Sequence, residues 1–156
     1  FKAAGVDEIT VITGGDREKV EVLVNNSAHT VFNPAFAKGE MLSSVQVGMA
    51  RLKPGTEATL ITLGDQPQVK ERSVRLIVDV YRQSGASIVV PSFQMRRGHP
   101  WLLARQHWDE IQRMRPPESL RDFLNRHTDE IPYVPIDNNS ILQDLDTPED
   151  YRNLKP

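Results

Sequence analysis

The sequence contains no cysteine. Disulfides, zinc–thiolate sites and thiol nucleophiles are thereby excluded. No run of apolar residues is long enough to cross a bilayer as a helix, and the start has neither the basic head nor the apolar core of a secretory signal. No membrane partner is expected, and a cytoplasmic location follows by default. An excess of one charge is also missing: 19 Lys and Arg stand against 21 Asp and Glu, a net charge of −2. That balance leaves no electrostatic footprint for DNA or RNA, so no nucleic-acid partner is expected. Internal repeats, low-complexity tracts and obvious linkers are lacking too. The chain has 156 residues, enough for one domain with a real core, and a single domain over 1–156 is expected. Phe1-Lys2-Ala3-Ala4-Gly5 has no initiator Met and reads as the last turn of a helix closed by a glycine C-cap. The chain is therefore expected to be the remainder of something longer.

What is present alternates. Glu8 to Thr13 is rich in β-branched residues and ends at Gly14-Gly15-Asp16, a strand-to-turn signal. Residues 17 to 24 read as helix and Val31-Phe32 as a short strand. Ser43 or Ser44 is expected to cap a helix running to about Leu52. Residues 60 to 63 form the next expected strand. A helix over about 68 to 84 should turn Val69, Leu76, Ile77 and Val80 inward, with Gly85 as its C-cap. Ile88 to Pro91 is another buried strand, and Trp101-Leu102-Leu103 is a short apolar stretch. Helices follow over about 105 to 114 and 118 to 127. Ile131 to Ile136 carries prolines and is expected near a sheet edge. Thr147 suits an N-cap, Pro148 the first helical position, and Asp150 can reach back to the cap. This alternation argues an α/β sandwich with a mostly parallel sheet, whose ligands would sit at the carboxyl ends of the strands.

Four short stretches carry chemistry. In Gly64-Asp65-Gln66-Pro67 the carboxylate follows a strand, where it would suit Mg²⁺, and the glycine would let a phosphate approach the backbone. The plainer reading makes Asp65 a helix cap. In Asp144-Leu145-Asp146-Thr147-Pro148-Glu149-Asp150 an extended backbone would put both aspartates on one face, where either could meet a metal. Otherwise Asp146 or Thr147 merely starts the last helix. Arg96-Arg97-Gly98-His99-Pro100 offers guanidinium forks, a bare backbone and an imidazole to an anionic substrate, or is a solvated charged loop. The stretch from Asn33-Pro34 through Gly39 to Ser43-Ser44-Val45 is a loop ending in serines. It could present backbone N–H groups to a polar ligand, or lie idle at the surface.

The order of these stretches carries more than any one of them. Asn-Pro, Gly-x-x-x-Ser-Ser-Val, Gly-Asp-Gln-Pro, Arg-Gly-His-Pro and Asp-x-Asp-Thr-Pro-Glu-Asp-Tyr resemble, in order from Val6 to about Tyr151, the molybdenum-cofactor nucleotidyltransferase family. They look most like its cytidylyltransferase branch. The resemblance implies a three-layer, Rossmann-like fold of the GT-A nucleotidyltransferase type with a mostly parallel sheet. It implies transfer of a nucleoside monophosphate, CMP from CTP or the guanine counterpart from GTP, to molybdopterin cofactor with release of pyrophosphate. Mg²⁺ is the implied cofactor and a molybdoenzyme the possible acceptor of the product. Asp65 would hold the metal, with Asp146, or else Asp144, as the second acidic group. Gly39, Ser44 and Gly64 would lie near the nucleotide, and Arg97, Gly98, His99 and Pro100 would border the pterin. The family opens with a first strand and a glycine-rich phosphate loop of the Ala-Ala-Gly-x-Ser-x-Arg-Met-Gly type that have no counterpart here, which suggests an N-terminally truncated domain. Two other readings stand beside this one. The first is a nucleotidyltransferase of the same fold acting on another phosphorylated substrate, and the second is a non-catalytic molybdopterin-binding or chaperone module.

Overall fold

The computed structural model describes residues 1–38 and 40–154. The chain packs as two compact units. One comprises Val6–Thr56 and Gln106–Thr128, the other Phe1–Gly5, Glu57–Arg105 and Asp129–Pro156.

In the first unit, β1 (Thr10–Thr13) and β2 (His29–Phe32) pair in parallel, Thr10 opposite His29 and Thr13 opposite Phe32. A parallel pair needs a crossover, and α1 (Arg17–Val24) supplies it. Helix α2 (Glu40–Met49) packs on β1, where Gly48 is bare because a Cβ would stand 3.3 Å from Ile12 Cδ1. Helices α4 (Trp108–Arg113) and α5 (Leu120–Arg126) complete the unit. The Gln46 amide of α2 donates to the carbonyls of Ile111 and Met114 at 2.8 and 3.0 Å, and the Gln112 amide returns a bond to the Gln46 carbonyl. Trp108, Ile111, Met114, Leu120, Phe123 and Leu124 are buried here.

The second unit holds β3 (Ala58–Ile61), α3 (Glu71–Ser84), β4 (Ile88–Phe93), β5 (Arg96–Arg97), β6 (Trp101–Ala104), β7 (Tyr133–Pro135) and α6 (Pro148–Leu154). Its five-stranded sheet runs β3-β6-β4-β5, with β7 on β4. The expected mostly parallel sheet is corrected in its pairings. Trp101–Ala104 is a strand that inserts between β3 and β4 and runs against both, and β5 also pairs antiparallel to β4. Among the described residues only β1 with β2 and β4 with β7 pair in parallel. Because β3 and β4 both oppose β6, and β7 follows β4, the strands β3, β4 and β7 point the same way. Trp101, Leu102 and Leu103 are continuously apolar because a strand between two others hides both faces. Leu102 shares a core cluster with Ile77, Val89, Val134, Ile136 and Ile141.

Two helix readings shift. Helix α3 begins at Glu71, and its inner face is Ser73, Val74, Ile77 and Val78, while Leu76 is 46% exposed. With Ile77 at the centre of the buried stripe, positions three and four away share its face, and Leu76 lies about 100° to one side. Helix α2 starts before Ser43 and Ser44, which lie inside it rather than capping it. The Thr147 reading holds. Its hydroxyl accepts from Asp150 N–H at 3.1 Å, and its own N–H donates to the Asp150 carboxylate at 2.9 Å. Ser119 and Asp122 form the same reciprocal box on α5.

Replacing Ser119 with Ala removes one side of the α5 box and should lower stability by about 1 kcal/mol in urea unfolding. An unchanged midpoint would mean that the box contributes nothing to holding α5.

Candidate active site

Strand direction explains where the motifs go. The segments following β3, β4 and β7 all leave the sheet of the second unit at its carboxyl edge. They carry Gly64-Asp65-Gln66-Pro67, Arg97-Gly98-His99-Pro100 and Asp144-Leu145-Asp146, in that order.

Asp65 lies in an exposed turn past the end of β3. It does not cap α3, whose N-cap position is Lys70. Its carbonyl accepts the Leu145 N–H at 2.8 Å. Next to it, Gln66 is 6% exposed and donates its amide to Asp144 Oδ1 at 2.6 Å. Gln66 Oε1 is buried without a hydrogen-bond partner. These two bonds fasten the turn after β3 to the segment before α6. Asp65 and Asp146 are both exposed, and among the described residues neither carboxylate has a hydrogen-bonding or ion-pair partner. Asp65, Asp144 and Asp146 do not close into a three-carboxylate cage. A sparse set of this kind fits Mg²⁺, which keeps several waters and takes one or two carboxylates together with substrate phosphates.

The Arg96–Pro100 stretch is not a loose loop. Arg96 and Arg97 pair with Phe93 and Ser92 across a two-residue turn in which Gln94 and Met95 both have positive φ, 49° and 64°. Such a turn matches the strand twist, although neither residue is a glycine. Arg97 donates from Nε to the Tyr133 hydroxyl at 2.9 Å, and its guanidinium lies 5.5 Å from the Tyr133 ring centre. Gly98 is bare for packing: a Cβ there would come within 2.7 Å of Ile141 Cδ1 and collide with the Ile141 carbonyl. His99 N–H donates to that carbonyl at 3.0 Å, and Trp101 Nε1–H donates to the Gly98 carbonyl at 2.8 Å. The His99 ring stacks on Trp101 with centroids 4.5 Å apart, and Pro100 is buried. His99 Nε2 is buried with no hydrogen-bond partner. Burial pushes the His99 imidazole down to about 4 against a smaller upward pull from the Asp144 carboxylate. It is neutral at pH 7.

In the first unit, Asn33 is fully buried and organises the serine motif. Its amide donates to the Ser43 and Ser44 hydroxyls at 2.8 and 3.0 Å, and its side-chain oxygen accepts from Ala35 N–H. Ser44 therefore presents a hydroxyl already engaged by Asn33. Gly39 lies outside the described residues. The sequence did not single out Gln66, Asn33, Tyr133 or Ile141. Gln66 and Asn33 do stand inside recognised motifs, and that adjacency was the available signal. Tyr133 and Ile141 had none.

Two outcomes follow from this geometry. Gly98→Ala should cost roughly 1–3 kcal/mol or more in denaturant unfolding, because the methyl meets backbone that cannot swing away. Full retention of stability would show that the turn can lift off Ile141. The His99 shift sets a pH slope. Between about 4 and 6.5 the unfolded chain binds a proton at His99 that the folded chain refuses, so stability rises with pH through that window and is level above it. The full span amounts to about 3 kcal/mol. His99→Gln should flatten that part of the curve, and an unchanged slope would assign it to other groups.

Known proteins resemble the chain in family and fold. Residues 1–131 match the sequence profile of the MobA-like NTP transferase domain. No curated protein matches the chain. Among solved structures, Rv0371c in complex with manganese, from Mycobacterium tuberculosis H37Rv, superposes with TM-score 0.82 at 25% identity, over 98% of this chain and 80% of that one. A 4-diphosphocytidyl-2C-methyl-D-erythritol synthase from Anaerococcus prevotii gives 0.75 at 15% identity, covering 97% and 82%. Molybdopterin-guanine dinucleotide biosynthesis protein A from Archaeoglobus fulgidus gives 0.60 at 13%, covering 92% and 75%. The last two likenesses establish the Rossmann-like nucleotidyltransferase fold alone. With the matched profile spanning most of its length, the chain belongs to the MobA-like NTP transferase domain family.

Proposed function

We propose that this chain carries the site of a cytidylyltransferase that moves CMP from CTP to the terminal phosphate of molybdopterin cofactor and releases pyrophosphate. The observation that carries the reading is the joining of the motif segments at one sheet edge. Leu145 N–H bonds the Asp65 carbonyl, Gln66 bonds Asp144, and the Gly98–His99 turn rests on Ile141. Asp65 and Asp146 would hold Mg²⁺, while Asp144 is already engaged by Gln66. Bound Mg²⁺ would neutralise triphosphate charge and orient the α-phosphorus for in-line attack. The attacking phosphate is anionic near neutral pH, so a dedicated general base is unnecessary. What the chain must supply is position and charge. Gly64 leaves backbone space beside the nucleotide, since nothing lies within 4 Å of where its Cβ would be. Arg97, held by the Tyr133 hydroxyl, would meet the pterin phosphate. His99 meets the pterin as a neutral imidazole, and Pro100 shapes that side.

A second reading keeps the chemistry and changes the acceptor to another phosphorylated substrate, such as a polyol phosphate. The fold leaves room for it, since the same fold occurs in a 4-diphosphocytidyl-2C-methyl-D-erythritol synthase. The MobA-like profile favours the first.

Calorimetric titration of CTP and GTP with and without Mg²⁺, followed by pyrophosphate release with molybdopterin cofactor, tests the proposal. Mg²⁺-dependent binding of CTP over GTP is expected, weakened about tenfold or more in Asp65→Asn. CTP turnover with a polyol phosphate but not the pterin would establish the second reading. Absence of any nucleotide binding would leave a non-catalytic pterin-binding module.

A further inference from the structure

A second cluster of ligand-bearing side chains lies in the other unit, apart from every motif discussed above. His107 ends a 3-10 turn, Glu110 follows three residues later on α4, and His127 directly follows α5. Their ligating atoms all lie within 4.8 Å of one another, the one such group of three among the described residues. We propose that His107, Glu110 and His127 form a binding site for a transition-metal dication of the Zn²⁺ class.

The donor set supports that class. Two imidazoles and one carboxylate suit Zn²⁺ and its neighbours, whereas Mg²⁺ and Ca²⁺ prefer all-oxygen shells. The chain has no cysteine, so imidazole is its strongest available donor for a borderline-soft ion. Three protein ligands leave a fourth position for water.

The side chains are held before any ion arrives. The His107 ring is 5% exposed and packed edge-on against Phe123 and His127, with centroids 5.5 and 4.9 Å away. Glu110 is divided between two tasks. Its Oε1 accepts from Arg126 Nε and Nη2 at 3.2 and 3.0 Å, and its Oε2 lies 2.9 Å from His127 Nε2. Arg126 also donates to Glu118, which shares its positive charge. Burial pushes the Glu110 carboxyl up, but the hydrogen bonds from His127 and Arg126 outweigh it and hold the group below the usual carboxylate range. The contact between Glu110 Oε2 and His127 Nε2 lies where the ion would sit. Tetrahedral bonds of about 2.0 Å would separate the two atoms by about 3.3 Å, an opening of a few tenths of an ångström. The Glu110 side chain is 36% exposed, which gives an ion a path from solvent. A bound ion would tie the start of α4 to the end of α5 and stabilise that unit by mass action.

Titrating the chain with Co²⁺ and then Zn²⁺ tests this without reference to nucleotide chemistry. One equivalent of Co²⁺ should give the intense visible absorption of a four-coordinate, nitrogen-ligated site, and Zn²⁺ should displace it and raise Tm. Affinity should fall at least about tenfold in Glu110→Gln and in His127→Gln and stay unchanged in His29→Gln. His107→Gln disturbs a buried ring, so the two more accessible variants decide the matter. Lack of stoichiometric binding, or binding that survives both Glu110→Gln and His127→Gln, would reduce the cluster to a hydrogen-bonded helix clasp.

Discussion

The stretch from Ile141 to Leu145 is the seam on which the rest of the second unit depends. On one side the Ile141 carbonyl takes the His99 N–H and its side chain fills the space that a Cβ at Gly98 would need. On the other, Leu145 N–H reaches the Asp65 carbonyl and Asp144 takes the Gln66 amide. Ile141 is fully buried, so this seam is also core. Each motif segment is held mainly through backbone atoms. The Asp65 and Asp146 carboxylates stay outside these contacts, and any side chain at position 98 would meet Ile141.

The seam exists because of strand direction. With β6 running against β3 and β4, the chain returns from the Gly98–His99 turn straight into the centre of the sheet. The turn cannot drift, because Trp101 begins β6 while its indole holds the Gly98 carbonyl. His99 pays for that placement with its proton, since burial leaves the imidazole neutral over the physiological range. The ring is neutral, its Nε2 is buried without a hydrogen-bond partner, and it brings no charge. Positive charge in this region comes from Arg97, whose direction is set by Tyr133 on the neighbouring edge strand.

In the first unit the same economy recurs on a smaller scale. Asn33 satisfies its side chain with Ser43, Ser44 and the Ala35 N–H, converting an Asn-Pro turn into a brace for the first turns of α2. The serines looked like helix caps in the sequence because Ser commonly has that role. Their hydroxyls are instead drawn to Asn33, and the helix begins earlier.

Local chemistry was legible wherever a short pattern has one physical solution. Thr147-Pro148-Glu149-Asp150 made its capping box, Gly85 closed α3 in a left-handed conformation, and β7 with its prolines pairs only β4. The ordered motifs also pointed to the family before any fold was known. Three features were not legible: the antiparallel insertion of Trp101–Ala104, the phase of α3 that leaves Leu76 outside, and the use of Gly98 by Ile141. Apolar residues announce burial without naming a partner or a direction, and a glycine announces space without saying what fills it. Composition and periodicity therefore determined the elements and their caps. Only the tertiary structure decided which way β6 runs and what packs at position 98, because both are settled by contacts between residues far apart in the chain.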